Sequence, residues 1–413
     1  MTVSSSSGVD DGSAADRRIA TVVFLTGVSC ALHIGKLPVA IPVLGQALAL
    51  SLVQSGFLLS VVQLAGLALG LLVGVTADRL GARRVMMTGL LTLALGSLVG
   101  ALAQNAAVLL ASRMVEGLGF LWSVLPAPAL LRQRVRHPLT LTRALGWWGA
   151  YMPMGTAFAL LGGVAIIDGF GWRSLWVFLA LGSLLAAVAL RTWVPPDTVQ
   201  DDGPVGQFAG LLDRLKRTLR SPGPWAISFA FFFYSGQWMA VVGFLPTIYQ
   251  QAGYSGWLLG GLTALAAGIN MAGNVSAGRW LSRQVPAHRL LMLGYGAMAL
   301  GGWLAFQSGA HPWLQYAGIL LFSSFGGLVP GTLFGIAVRL APDNATVATT
   351  VGWMQQWSAL GQFVGPPLVA ALAVSLGGWS ASGWFTAACS VAGMLVALWI
   401  ARVLAARRSS PAA

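Results

Sequence analysis

The sequence predicts an all-α membrane protein with twelve transmembrane helices in two pseudo-symmetric six-helix bundles. Three observations lead to this fold class. Apolar segments of about 18 or more residues, the length that a helix needs to cross a bilayer, recur along the whole chain. Short motifs of the first half return in the same order in the second half. The basic residues collect on alternate loops, as they do in proteins that cross a membrane repeatedly.

The composition excludes an ordinary soluble domain. Hydrophobic residues make up 56% of the chain and charged residues only 8%, whereas about a quarter of the residues of a soluble protein are charged. No G-x-x-x-x-G-K-[ST] phosphate loop occurs in the sequence, which disfavours a pump driven by ATP. We predict twelve spans, at residues 19–45, 54–77, 84–104, 106–132, 141–167, 172–193, 223–250, 257–281, 288–308, 313–341, 347–374 and 379–404.

Four pairs of short motifs relate the two halves at an almost constant spacing. G-K-L-P at 35–38 returns as G-F-L-P at 243–246, and the segment 74–79 returns at 278–283. G-W-W at 146–148 returns as G-W-M at 352–354, and G-W at 171–172 returns at 378–379. A duplicated multi-helix domain is typical of secondary transporters, because two similar halves can rock about a shared central site.

The distribution of basic residues predicts the orientation. With the N-terminus in the cytoplasm, 21 of the 24 Lys and Arg residues fall on the cytoplasmic side or at cytoplasmic helix ends, the exceptions being Lys36, Arg113 and Arg173. This positive-inside bias predicts a multi-pass protein of the bacterial inner membrane with both termini in the cytoplasm. The formal net charge of +13 then reflects topology and anionic lipid, and we expect no nucleic-acid partner.

The spans divide the chain into five parts. We expect a disordered cytoplasmic tail at 1–18, the first six-helix bundle at 19–193, a cytoplasmic linker at 194–222, the second bundle at 223–404 and a second tail at 405–413. The linker has an apolar face, Phe208, Leu211, Leu212 and Leu215, beside basic residues. This pattern indicates either a helix on the membrane surface or an unstructured basic linker. The first span lacks a cleavage site, so it is expected to be retained rather than removed as a signal peptide.

The loop after the second span contains a distinctive motif, G-V-T-A-D-R-L-G-A-R-R at 74–84. Gly74 and Gly81 permit a close helix approach and a tight turn, and Asp78 can accept hydrogen bonds at a helix terminus or pair with an arginine. The motif resembles the signature of the major facilitator superfamily between its second and third helices. The resemblance covers nearly the whole chain and implies the major facilitator fold, in which these residues, with Arg79 and Arg83, form a conformational latch.

Charged side chains interrupt the first and fourth spans. Arg113 and Glu116 are three residues apart and share a helix face, in a segment that is similar to a superfamily motif with Gln at the position of Glu116. Lys36, with His33 one turn before it, is expected at a similar depth. Ionisable groups at that depth are costly and indicate function. A neutral structural pair, a lysine that reaches the membrane surface and a hydrogen-bonded core histidine are the competing interpretations.

The resemblance implies that the first and fourth spans of each half line a central cavity. Lys36 and Arg113 would there bind the negative charge of a substrate, since the arginine fork matches a planar anion. His33 is a further candidate for substrate binding. We predict that Glu116 couples transport to protons.

Aromatic and amide side chains at mid-membrane depth are the remaining candidates for substrate contact. They suit a small, partly apolar or planar substrate, and interhelical packing is the competing interpretation for each of them. The predicted binding residues of this kind are Tyr151, Tyr234, Trp238, Gln237, Asn270, Gln356 and Trp357.

Segments of the second half are similar to the cyanate/nitroimidazole transporter branch of the superfamily. They are G-P-P at 365–367 and G-F-L-P at 243–246 followed by G-Y-S at 253–255. Members of that branch tend to have a cation in the first span, which Lys36 matches in kind. The fifth span has Y-M-P-M-G at 151–155 where drug:proton antiporters usually show a Gly-Pro pair with further glycines, which disfavours multidrug efflux.

These observations predict a secondary active transporter, a symporter that moves a small anion by alternating access. Efflux of a small aromatic or antimicrobial compound is the alternative within transport, and a transporter-like membrane sensor is the alternative from another class. We expect no enzymatic activity, since the spans contain no His-Asp-Ser set, paired carboxylates or metal-ligand cluster, and hence no cofactor and no metal. The expected partners are a small-molecule or small-anion substrate, protons and the lipid bilayer, and the protein is expected to be a monomer.

Overall fold

The computed structural model describes residues 7–70, 80–197, 204–307 and 311–409. Within these ranges the chain is almost entirely helical, and twelve segments are long and apolar enough to cross a membrane. The predicted all-α membrane fold is confirmed. We number the segments as spans 1 to 12: Ala14–Ala47, Leu52–Gly70, Ala82–Ala101, Ala106–Arg134, Tyr151–Phe170, Trp172–Trp193, Pro222–Gln251, Gly256–Ser282, Ala287–Gln307, Pro312–Leu340, Asn344–Ser375 and Ala381–Arg407.

The two halves repeat the same packing, as the sequence motifs predicted. Span 1 packs against spans 5 and 6, and span 3 packs against spans 4 and 6. In the second half, span 7 packs against spans 11 and 12, and span 9 packs against spans 10 and 12. A helix at Pro204–Arg220, here called the linker helix, lies between the halves in sequence. Its Arg217 Nη1 donates to Asp343 Oδ2 at 2.6 Å, just before span 11.

The helix that contains span 1 begins at Ser7, within the segment that the composition predicted to be a disordered tail. The buried carboxylate of Asp16 accepts hydrogen bonds from the backbone N–H groups of Arg136 at 2.9 Å and His137 at 2.7 Å. These groups lie at the start of a helix, Pro138–Trp148, where backbone donors lack intrahelical partners. The contact therefore anchors the start of span 1 against the rest of the first half.

Spans 8 and 10 are each interrupted near their middle. Span 8 consists of helices Gly256–Gly268 and Asn270–Ser282, and span 10 of helices Pro312–Gly326 and Leu328–Leu340. The interruptions touch each other: a Cβ atom added to Gly327 would lie 2.0 Å from the carbonyl oxygen of Asn270. Only glycine permits this backbone-to-backbone contact, which we call the span 8–10 crossing.

The two halves meet along spans 2 and 11 and along spans 5 and 8. Gly56 of span 2 lies so close to Pro367 of span 11 that an added Cβ atom would be 2.8 Å from its Cα atom. Deeper in the same interface, Gln63 Nε2 donates to Gln362 Oε1 at 3.0 Å. Gln362 Nε2 donates in turn to Ser358 Oγ at 3.3 Å, in a place where unpaired polar groups are costly.

Candidate functional site

A fully buried ionic cluster, formed by Lys36, Arg113 and Glu116, lies inside the first half. Lys36 Nζ donates to Glu116 Oε1 at 2.5 Å, and Arg113 Nη1 donates to Glu116 Oε2. All three side chains have no exposed surface. Both carboxylate oxygens are thus held by cations, and the cluster has a formal charge of +1. The structure brings together the three ionisable residues that the sequence predicted to be functional.

Lys36 has a complete set of partners. Besides Glu116, its Nζ atom donates to Ser97 Oγ at 3.0 Å and to His33 Nδ1 at 3.3 Å. It also lies 4.6 Å from the centroid of the Trp176 ring, a cation–π contact. An ammonium group has three N–H donors. All three are therefore used inside the first half, so Lys36 does not extend to the membrane surface.

His33 connects the ionic cluster to span 6. An ammonium group can only donate, so Nδ1 of His33 accepts the Lys36 hydrogen bond and its ring proton is on Nε2. The Nε2 atom then donates to Ser183 Oγ at 2.9 Å and lies 3.2 Å from the carbonyl oxygen of Leu179. The ring is therefore a neutral, fully hydrogen-bonded histidine, buried in the core of the first half.

The rotation of span 1 explains why the cluster faces inward. Ile34 packs against Val62 and against Met239 of the second half. Lys36 lies two residues later, about 200° around the helix, and so faces spans 3, 4 and 6. Every contact of Lys36 described above is to the first half, so its ammonium group faces away from the second half in this structure, and the roles of Lys36 and Arg113 at a shared cavity stay predictions.

Small residues of span 3 make room for the cluster. A Cβ atom added to Gly96 would lie 2.9 Å from Glu116 Cγ, and one added to Gly100 would lie 2.6 Å from Trp176 Nε1. Ser97 accepts from Lys36 and donates to the carbonyl oxygen of Trp176 at 2.8 Å. These contacts were not predicted from the sequence, because the pattern of an apolar span does not indicate which of its serines faces a charged side chain.

The second half contains a neutral counterpart of this arrangement. Gln237 Oε1 accepts from Ser390 Oγ at 3.2 Å, joining spans 7 and 12 as His33 and Ser183 join spans 1 and 6. Ser390 follows Ser183 at the same spacing that separates the two G-W motifs, a signal that could have identified both. At that spacing Ser323 stands where Glu116 stands in the first half. Among the described residues, the buried charged side chains thus all lie in the first half.

Three predicted binding residues form a neutral network between spans 7, 8 and 10. Asn270 Nδ2 donates to Tyr234 Oη at 3.0 Å and to the carbonyl oxygen of Ser323 at 2.8 Å. Trp238 Nε1 donates to Ser323 Oγ at 3.3 Å. The Asn270 side chain thus forms hydrogen bonds with spans 7 and 10 next to the interruption of span 8.

The other predicted binding residues lie apart from these groups. Tyr151 stacks on Trp148 with ring centroids 4.6 Å apart. Gln356 Nε2 donates to the carbonyl oxygen of Leu67 at 3.2 Å, across the interface between the halves. Trp357 packs edge-on against Phe229 with ring centroids 4.7 Å apart. The ten predicted binding residues therefore do not form one continuous site.

The predicted latch is only partly within the described residues. Gly74, Asp78 and Arg79 lie outside them, and their role stays a prediction. Gly81 has φ of +91° at the start of span 3, and an added Cβ atom there would collide with the Asp197 side chain.

Asp197 and Arg83 fasten spans 3 and 6 to each other. The Asp197 carboxylate accepts from the backbone N–H groups of Arg83 at 3.2 Å and Arg84 at 3.0 Å. Arg83 Nη2 in turn donates to the carbonyl oxygen of Arg191 at 2.6 Å. A carboxylate at the start of a helix also complements the helix dipole.

Most of the chain is similar to known proteins. Residues 19–366 match the family model of the Major Facilitator Superfamily. The chain is 26% identical over 343 residues to the 2-nitroimidazole transporter of Escherichia coli (strain K12), which covers 81% of this chain and 82% of that protein. It is 26% identical over 274 residues to the cyanate transport protein CynX of the same organism, covering 65% of this chain and 66% of that protein.

A shorter match is to a protein with a different role. The chain is 36% identical over 127 residues to the drug efflux pump JefA of Mycobacterium tuberculosis (strain ATCC 25618 / H37Rv). The matched segment is 31% of this chain and 25% of that protein. The chain thus spans only a quarter of the length of that relative.

Proposed function

We propose that this chain, which belongs to the Major Facilitator Superfamily as its motifs predicted, moves a small anion together with protons by alternating access. Members of this superfamily are transporters and not enzymes, and the twelve spans make the chain a multi-pass membrane protein. The substrate class and the coupling to protons are the proposed parts. The observation that supports them is the buried ionic cluster.

The charge of the cluster favours an anionic substrate. Lys36 and Arg113 contribute two positive charges and Glu116 one negative charge, all without exposed surface. A buried net charge is costly within a membrane, and an anion bound beside the cluster offsets it. One relative is named for cyanate, an anion, which agrees with this substrate class.

The sharing of Glu116 between two cations supports coupling to protons. An anion that binds Arg113 brings a second negative charge close to the carboxylate of Glu116. The carboxylate then loses part of its electrostatic stabilisation and takes up a proton more readily. Linkage is reciprocal, so the proton favours anion binding to the same degree. The two ligands therefore cross together, which is symport.

A charge-balanced double variant, Lys36→Met with Glu116→Gln, tests this coupling. It removes the titratable carboxylate and keeps both Arg113 and the formal charge of +1. We expect counterflow, which needs no proton, to persist in proteoliposomes, and uphill uptake driven by an imposed pH gradient to be lost. The measurement compares both activities with those of the parent, over a set of small anions.

Two other outcomes would contradict the assignment. Uphill uptake at the parental level would show that Glu116 does not take up the coupled proton. Loss of counterflow as well as uphill uptake would place Lys36 or Glu116 in substrate binding itself. Arg173→Lys is the matched control, since Arg173 lies outside the cluster and donates to the carbonyl oxygen of Ala103 at 3.0 Å.

The orientation is also part of the proposal. The positive-inside bias supports an inner-membrane protein whose tails at 1–18 and 405–413 and linker at 194–222 are cytoplasmic. A single cysteine introduced at position 201 should react with an impermeant maleimide only when the reagent is inside right-side-out vesicles. Labelling only by reagent outside the vesicles would mean that the topology is the opposite of the proposed one.

Efflux of a small aromatic or antimicrobial compound is the second candidate function. The match to a drug efflux pump supports it, although that match covers a small part of the relative. Transport assays in inside-out vesicles separate the two candidates. Uphill accumulation there of aromatic compounds, without transport of anions, would favour efflux.

A further inference from the structure

Arg113 has one edge that is not used. Its Nη1 atom donates to Glu116 and to the carbonyl oxygen of His33, the latter at 2.9 Å. Its Nε and Nη2 atoms are buried and have no hydrogen-bond partner among the described residues. Their N–H bonds lie side by side along one edge of the planar guanidinium group. A buried donor left unpaired is costly, so this edge is poised to bind a ligand.

The two cations of the cluster therefore differ in what they can bind. All three donors of Lys36 are filled, by Glu116, Ser97 and His33. Its ammonium group has no N–H donor left for a substrate. Arg113 uses only one of its three nitrogen atoms, and the two remaining nitrogens form a ready-made pair of donors.

Neighbours of Arg113 contact the residues Ile34 and Val62, which pack against Met239 of the second half. The carbonyl group that it binds belongs to His33, and the next residue, Ile34, packs against Met239 of span 7. One turn after Arg113, a Cβ atom added to Gly117 would lie 2.3 Å from the carbonyl oxygen of Val62 in span 2. A ligand on the free edge would therefore be within reach of the surface along which two rocking halves separate.

We infer that the substrate presents a planar group with two adjacent oxygen atoms, of the carboxylate class, which binds edge-on to Nε and Nη2 of Arg113. Lys36 is then a positioning residue that holds Glu116 and does not touch the substrate. This inference rests on the proposed anion transport and specifies the shape of the anion. A planar two-oxygen group accepts both N–H bonds at once, whereas a linear or spherical anion accepts them less well.

Anion shape is the variable that tests this inference. The purified full chain is titrated in detergent with the sodium salts of formate, acetate, nitrate, thiocyanate and chloride at constant ionic strength. Binding is followed as the shift in the midpoint of thermal unfolding. We expect formate, acetate and nitrate to bind at least about tenfold more tightly than thiocyanate or chloride, the ratio that about 1.4 kcal/mol provides.

A conservative substitution separates the effect of the paired N–H donors of Arg113 from the effect of its positive charge. Arg113→Lys keeps the positive charge and removes the pair of coplanar donors, so the preference for planar anions should disappear. Arg173→Lys should leave the preference unchanged. If Arg113→Lys fails to fold, the anion series on the parent protein decides the question without it.

The outcomes distinguish this inference from the proposed function. Binding of planar, linear and spherical anions with equal affinity would overturn the edge-on geometry and leave anion transport intact. Absence of any specific anion effect would overturn both. Retention of the planar preference in Arg113→Lys would assign it to another group.

Discussion

Glu116→Gln alone is expected to lower the free energy of unfolding by about 3–5 kcal/mol, because it leaves two buried cations without their common counter-charge. Lys36→Met alone should have a far smaller effect, since Arg113 and Glu116 then remain as a pair. The double variant should be more stable than Glu116→Gln. Such non-additivity is the signature of residues in one network.

The two free cysteines of the described chain provide the readout. Cys30 is buried and Cys389 is half-buried, so a thiol-reactive dye reports on unfolding in detergent. Asp213→Asn is the control, because Asp213 forms an exposed ion pair with Arg217, and such pairs contribute about 0–1 kcal/mol. A Glu116→Gln protein with the parental unfolding midpoint would mean that the carboxylate does not hold both cations.

Gly327→Ala is expected to destabilise the second half by about 3 kcal/mol, the upper end of the usual cost of overpacking. The new methyl group would lie 2.0 Å from the carbonyl oxygen of Asn270 and 2.9 Å from the backbone nitrogen of Asn274. Both obstacles are backbone atoms, so no side-chain rotation relieves them. The helices of spans 8 and 10 would have to separate, and the hydrogen bonds of Asn270 with Tyr234 and Ser323 would be lost.

Gly278→Ala is the matched control for this prediction. Gly278 lies on the same span 8, and nothing lies within 4 Å of an added Cβ atom. Alanine there should be neutral or slightly stabilising, because it has the higher helix propensity. Equal unfolding midpoints for Gly327→Ala and the parent protein would show that the span 8–10 crossing is not a tight contact.

The sequence was most informative about features that repeat or that depend on length. Apolar runs and recurring motifs predicted twelve spans and two similar halves. The thickness of the bilayer sets the length of each apolar run, and duplication repeats the motifs at a constant spacing. The interruptions in spans 8 and 10 were not predicted. Glycines such as Gly326 and Gly327 are common within membrane helices, so they do not by themselves reveal a break.

For the candidate site, the sequence predicted the depth of the charged residues in the membrane but not the direction in which their side chains point. Counting residues along spans 1 and 4 placed Lys36 and Arg113 at one level, and both do contact Glu116. The direction in which Lys36 points depends on how span 1 turns against its neighbours. That turn is set by tertiary contacts, such as those of Ile34 with Val62 and Met239, which no pattern in a single helix encodes.

The position of the buried ionic cluster in the first half has an electrical consequence for the proposed cycle. The empty cluster has a formal charge of +1, and a cluster with one bound anion and one added proton has the same charge. One elementary charge moved fully across the membrane changes in energy by about 2.3 kcal/mol per 100 mV. Voltage would then bias the empty and loaded carriers equally and would contribute no net work to a full turn. The membrane potential would set which side the resting site faces, and the proton gradient alone would set how far the solute accumulates.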